Sequence, residues 1–190
     1  MKKLLFATLL TVILGFSTLA NALPLESRDG GKMYYDPNLN ITWLTEPNNT
    51  FLRWDEAMSW ASHLNVDGIT GWRLPTTPDP FLGGEGEMWY LYYHDLGNVA
   101  GGPLSNKGPF TDLQPYFYWS DTEYFFIHNH AWYFDFNMGY QDAANKYFPM
   151  YALAVRPGDV SGVPEPTTML LLGSGLIGLA GYGRKKFFKK

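Results

Sequence analysis

The sequence predicts an α+β domain in which two early helices pack on antiparallel strands. Three observations carry that expectation. In two stretches of the first half, apolar residues recur every three or four positions, the period of one helix face. The second half instead holds short aromatic-rich runs broken by turn residues. Aromatic residues also make up 28 of the 138 positions from 23 to 160, a composition suited to β-rich folds and contact surfaces rather than to disorder.

Residues 32–44 read as strand, turn and strand. Met33, Tyr34 and Tyr35 run into the turn sequence Asp36-Pro37-Asn38, and Ile41-Thr42-Trp43-Leu44 resumes. A helix is expected over 54–64, because Trp54, Ala57, Met58, Ala61 and Leu64 share one face. Gly68 and Gly71 close that region. In Gly71-Trp72-Arg73-Leu74-Pro75-Thr76, Trp72 and Leu74 alternate on a short strand that Pro75 ends. Arg73 then points to the other face, where its planar fork suits a carboxylate.

A second helix is expected over 85–96, with Met88, Leu91, Tyr92 and Leu96 on its apolar face. Glu85 and Glu87 lie near its positive end, and Gly97 is its stop. Strands follow at 116–120, 123–127, 131–136 and 151–156; Asn137-Met138-Gly139 ends the third of these.

The 190 residues include no cysteine, which excludes disulfide scaffolds, thiolate zinc sites and cysteine nucleophiles. The formal charge of −4 hides a strong asymmetry. Lys2, Lys3, Arg184, Lys185, Lys186, Lys189 and Lys190 lie at the ends. Between 23 and 160 there are seven basic and 17 acidic residues, a net of −10. Such a surface argues against nucleic acid, sulfated polyanions or anionic membranes as partners of the middle region.

Residues 1–22 read as a secretory signal: Lys2 and Lys3, an apolar stretch, then the small-residue cleavage box around Ala20 and Ala22. The other reading is an uncleaved N-terminal anchor. At the far end, residues 160–166 form a linker containing Pro164-Glu165-Pro166, and residues 167–183 an apolar segment expected to form an anchor helix. The basic tail 184–190 is expected to stay cytoplasmic. That segment would rise only about 24 Å as a helix, so it must thin the bilayer or be handed to another protein.

Together, Pro164, Glu165 and Pro166, the apolar run, and Arg184, Lys185 and Lys186 resemble a PEP-CTERM sorting signal. The resemblance implies a temporary anchor, recognised and processed by an exosortase-type membrane enzyme in bacteria that make exopolysaccharide. Signal peptidase is the other processing partner expected. A permanent single-span tail is the alternative.

The ordered series from Trp54 through Gly71–Thr76, Tyr118-Trp119-Ser120 and Ala131–Phe136 to Ala154-Val155-Arg156-Pro157-Gly158-Asp159 resembles an Lcl C-terminal-type domain over 23–159. The resemblance implies a C-type-lectin-like variant of the α+β class and adhesion to glycans and cells, although most members have no assigned biochemical activity. It also makes Gly71, Trp72, Arg73, Leu74, Pro75, Thr76 and Arg156 a structural signature. Two features depart from the pattern. Arg53 stands where a small capping residue is usual, and the acidic surface is a poor match for sulfated glycans.

Neutral sugars are bound by rings covering their C–H faces and polar groups taking their hydroxyls. Trp119, Asp121, Glu123, Trp132, Tyr133 and Asp135 lie on adjacent expected strands and offer that chemistry; the alternative is that both tryptophans anchor the core. His128 and His130 would align on one strand face, and zinc would need a third ligand such as Asp135 or Glu123. Ordinary exposed histidines are the competing reading. Asp121, Glu123, Asp135 and Asp142 are oxygen ligands suited to calcium, with no diagnostic spacing; no cofactor is otherwise expected. Glu46-Pro47-Asn48 is similar to the sugar- and calcium-binding tripeptide of C-type lectins, but it precedes the first helix and is read as coincidence. Arg73 and Arg156 are expected to form structural ion pairs.

No phosphate-binding loop, His-Glu-x-x-His or nucleophile elbow outside the tail is present. The sequence therefore points to an exported, non-catalytic surface or matrix module binding polysaccharide or another envelope component. A structural matrix protein without a specific ligand, or a carboxylate-dependent glycoside hydrolase, are the alternatives.

Overall fold

In a computed structural model the described residues are 24–78 and 85–160. The expected signal, anchor segment and basic tail lie outside them. Among the described residues, no helix is long and apolar enough to cross a membrane.

The molecule is mostly sheet, with two short helices. Strands β1 (Glu26–Arg28), β2 (Met33–Asp36), β3 (Ile41–Leu44) and β9 (Val155–Pro157) make an antiparallel first sheet in the order β1-β2-β3-β9. A second sheet runs β4 (Asn48–Leu52), β8 (Met150–Ala152), β5 (Phe117–Glu123), β6 (His130–Asp135), β7 (Tyr140–Asn145). It is antiparallel except where Tyr118 of β5 lies beside Tyr151 of the parallel β8.

The expected strand-turn-strand unit is β2 and β3. Its turn is held by Asp36 Oδ1, which accepts the amide N–H groups of Asn38 (2.8 Å) and Leu39 (3.1 Å). Helix α1 (Trp54–His63) matches the expected amphipathic segment. At its start, Glu56 accepts the Arg53 amide at 2.9 Å, supplying one half of a capping box in place of a small N-cap side chain. Ala57 and Ala61 are fully buried against Leu74, Trp119, Ala131 and Ala152 of the second sheet region. Their small side chains let the helix approach the sheet closely.

The second helical segment is shorter and less regular than its spacing suggests. Helix α2 (Glu87–Tyr90) passes into a π-helical turn over Leu91–Asp95, in which the Leu96 amide reaches back five residues to Leu91 O. Leu91, Tyr92 and Leu96 are all buried beneath the other face of the second sheet, with Tyr118, Phe134, Phe136, Phe110 and Trp43. Gly139 permits this packing. Its φ is +74°, and a Cβ there would lie 2.6 Å from Tyr93 Oη and 2.7 Å from the Tyr92 ring.

Two strand expectations need correction. The apolar run 123–127 is not a strand: Glu123 ends β5, and a turn closes through Ile127 N–H to Tyr124 O and His130 N–H to Ile127 O. Residues 151–156 do not form one strand either. Met150–Ala152 belongs to the second sheet and Val155–Pro157 to the first, so this segment links the two. Residues 72–74 make only a single bridge, with Arg73 and Val155 exchanging two backbone hydrogen bonds of 2.8 and 2.9 Å. Strands β1, β4 and β7 were not legible from periodicity; all three are sheet edges.

Candidate functional site

The signature segment builds a polar knot where the sheets meet. Arg73 donates from both terminal nitrogens to Glu87, at 2.8 and 2.7 Å, and from Nη1 to Leu74 O and Thr76 Oγ1. Glu87 Oε2 also accepts the Thr76 amide at 2.7 Å, and the Thr76 hydroxyl donates to Asp121 Oδ2 at 3.0 Å. The Asp121 amide donates to Pro75 O. The Glu87 carboxylate raises the Arg73 pKa above its ordinary value. Trp72 and Leu74 fill separate apolar clusters on either side. This knot joins the start of α2 to β5 and β9. Arg156 behaves differently: among the described residues no carboxylate pairs with it, and its Nε is buried without a partner.

The strand residues chosen from sequence do not form a common exposed surface. Trp119 is fully buried, and its Nε1 donates to Leu52 O at 3.0 Å. Trp132 is 6% exposed and packs edge-on against Tyr124 at 5.2 Å. Adjacent residues on a strand face opposite ways, so Trp132 lies on the other side of the sheet from Tyr133, the neighbour of Trp119. Asp135 is buried and accepts the Asn137 amide at 2.7 Å, holding the β6–β7 turn. Asp121 belongs to the knot. Glu123 is exposed and pairs with Lys146 at 2.7 Å.

The metal candidates are dispersed. His128 is exposed in the turn after β5, whereas His130 begins β6 and bonds Asn129 Oδ1 at 2.7 Å. Asp142 accepts the amide of Ala143 at 2.7 Å. Among the described residues, no three His, Asp or Glu side chains gather as a metal site.

An exposed aromatic surface on the second sheet takes in one of the strand candidates, Tyr133. Tyr116, Phe117, Tyr133, Ala144, Phe148, Pro149 and Met150 line a groove of about 360 Å³. Tyr116 and Phe148 are 40% and 59% exposed. Tyr116 contacts Phe117, and Phe117 contacts Tyr133, at centroid separations of 4.9 and 5.1 Å. Around the sheet edge, Phe51 stacks on Tyr151 at 4.7 Å and meets Tyr116 at 5.4 Å. The polar groups of the groove itself are the Tyr116 and Tyr133 hydroxyls. Asn49 and Gln114 donate to Asp112 O, and the Tyr133 hydroxyl lies within reach of Tyr140. Burial and that contact push the Tyr133 pKa up, so the hydroxyl stays a neutral donor and acceptor.

Two further surface features lie apart from the strand candidates, one of them at the Glu46-Pro47-Asn48 tripeptide whose lectin likeness is read as coincidence. Glu46, Pro47 and Asn48 line a cleft of about 430 Å³ together with Lys32, Trp60 and Leu64. Phe125, Phe126 and Ile127 are exposed at the tip of the β5–β6 hairpin.

The described core coincides with a family match: the Lcl C-terminal domain matches residues 32–156. The chain belongs to the Lcl C-terminal domain family. A PEP-CTERM protein-sorting motif matches residues 162–185. That motif implies export, sorting to the cell envelope and recognition by an exosortase-type processing enzyme. No curated protein matches the chain. Within the Lcl domain, the Trp-Arg-Leu-Pro-Thr segment is the structural knot, and the aromatic groove lies apart from it.

Proposed function

We propose that this Lcl domain is a non-catalytic cell-surface or matrix module that binds neutral polysaccharide through the aromatic end of its second sheet. The observation that carries the reading is the exposed groove between Tyr116 and Phe148, which includes the phenol groups of Tyr116 and Tyr133. Flat rings cover the C–H faces of sugars, while the phenol groups bond their hydroxyls. The acidic surface favours uncharged over sulfated chains. In this reading residues 1–22 are removed on export, and residues 167–183 hold the domain at the inner membrane until the sorting enzyme acts.

A C-type-lectin-like origin belongs to the same proposal. It is supported by the pairing of β9 with β3 and by Arg28 gripping Asp159 at 2.7 and 2.8 Å, which bring the two ends of the domain together. The non-catalytic reading is supported by how three carboxylates around the second sheet are used. Glu87, Asp121 and Asp135 are each occupied by structural donors. One observation favours a ligand-free structural matrix role: the exposed Phe125–Ile127 tip offers apolar surface to neighbouring proteins.

Affinity electrophoresis of the full chain in gels containing neutral β-glucan or dextran tests the binding reading. Retardation is expected for the unaltered protein. A Tyr116→Ala/Phe148→Ala variant should bind about five- to 100-fold more weakly while still unfolding in one cooperative transition, since each ring contact contributes about 0.5–1.5 kcal/mol. Equal retardation of variant and parent, or none for either, would overturn the proposal.

A further inference from the structure

Asp36 and Asp95 come from distant parts of the chain and meet inside the protein. Asp36 is the last residue of β2 and is 0% exposed. Asp95 is the last residue of the π-helical turn. Their carboxyl groups lie within hydrogen-bonding reach of one another. Asp36 Oδ1 is used by the turn amides of Asn38 and Leu39. The remaining oxygens, Asp36 Oδ2 and both of Asp95, are buried without a donor. Among the described residues no lysine, arginine or histidine forms an ion pair with either group. Two adjacent carboxylates without a counter-charge in such a place would repel and would both be poorly solvated. Asp95 also closes a helical segment, where the backbone dipole disfavours negative charge.

We propose that Asp36 and Asp95 share one proton, and that this carboxyl–carboxylate hydrogen bond is a latch joining the β2–β3 turn to the end of the π-helical turn. The donor is a protonated Asp95, and the acceptor is Asp36 Oδ2. The latch ties the edge of the first sheet to the segment carrying Leu91, Tyr92 and Leu96 beneath the second. Loss of the proton leaves two buried negative charges face to face and loosens that connection. An exported domain meets the pH of its surroundings directly, so its rigidity at this point follows external acidity.

Burial first, and the Asp36 charge second, push the Asp95 pKa up to about 8. The unfolded chain holds an ordinary carboxyl near 4. The folded form therefore binds the proton more tightly across that window. Stability from this group is full below pH 4, declines as pH rises from about 4 to 8, and is flat above. Among the described residues, Tyr90 on α2 faces the pair, and Glu85, just before that helix, acts on Tyr90. Burial and the charges of Asp95, Asp36 and Glu85 raise the Tyr90 pKa, which leaves its phenol neutral throughout. His94 lies against Tyr90 and Glu85, at 4.5 Å between rings and 4.0 Å to the carboxylate.

The test is thermal unfolding of the full chain, freed of metal with EDTA, from pH 5 to 9. Asn at position 95 mimics the protonated acid, so Asp95→Asn should flatten the profile. The unaltered protein should lose at least about 5 °C more in Tm than Asp95→Asn between these limits. Infrared difference spectra should show a protonated carboxyl C=O band at pH 6.5 that Asp95→Asn lacks, a signal that a purely structural role would not move. Parallel pH profiles for the two proteins, or no such band, would overturn the proposal. A Tm at pH 6 that EDTA lowers and calcium restores would also overturn it, since a cation would then stand where the proton is placed.

Discussion

Trp119→Ala is expected to lower the free energy of unfolding by about 3–5 kcal/mol, read as a fall in the urea midpoint at unchanged slope. The indole is fully buried between α1 and the second sheet, among Ala57, Ala61, Leu74, Ala131 and Ala152. The alanines among those neighbours are too short to fill the cavity. The substitution also strips Leu52 O of the indole N–H donor, at 3.0 Å. Trp119→Phe keeps most of the ring and loses that hydrogen bond, so it should cost less, about 1–3 kcal/mol including the smaller volume. A tryptophan serving as a sugar platform would behave in the opposite way: its removal would weaken binding and leave unfolding untouched.

Arg73→Met should destabilise the domain by about 2–4 kcal/mol, again in urea unfolding. Removing one partner of a buried ion pair costs about 3–5 kcal/mol, and the guanidinium here is 30% exposed, which lessens the loss. The remaining Glu87 carboxylate keeps only the Thr76 amide as a donor. Glu87→Leu should cost a similar amount, because it strands the guanidinium. The double variant Arg73→Met/Glu87→Leu should be more stable than the sum of the two losses implies, by about 1–3 kcal/mol of coupling. Additive losses would mean that the two side chains do not act as a pair.

The parts of the fold legible in sequence are those in which one element carries its own signal. The apolar stripe of α1 and the Asp36-Pro37-Asn38 turn are examples, since each needs only local spacing or turn chemistry. The edge strands β1, β4 and β7 carry no alternating pattern because one side of each ladder is unpaired and their residues are largely polar. The run 123–127 has strand-like composition but no neighbouring strand to pair with, and it becomes a hairpin tip instead. Residues 151–156 look continuous because both halves are buried, although they serve different sheets.

The candidate site was legible in kind but not in position. Composition announces exposed rings in an acidic domain; it does not say which rings are covered. Trp119 is hidden because α1 lies over it, whereas Tyr116, only three residues earlier, is left open at the sheet end. Arg73 was readable as a partner for a carboxylate, and Glu87 was not identifiable as that partner because no local spacing links two residues 14 positions apart. The Asp36–Asp95 contact had no sequence signal at all, since only the packing of the β2–β3 turn on the π-helical turn creates it.

Amide hydrogen exchange of the full chain with and without a neutral polysaccharide that retards it tests the binding surface most directly. Slowed exchange confined to residues 49–52, 112–117 and 147–151 is expected, because these segments carry or flank the exposed rings of Phe51, Tyr116 and Phe148. Slowed exchange centred instead on the 124–130 hairpin, or on the cleft lined by Glu46, Pro47 and Asn48, would contradict the assignment.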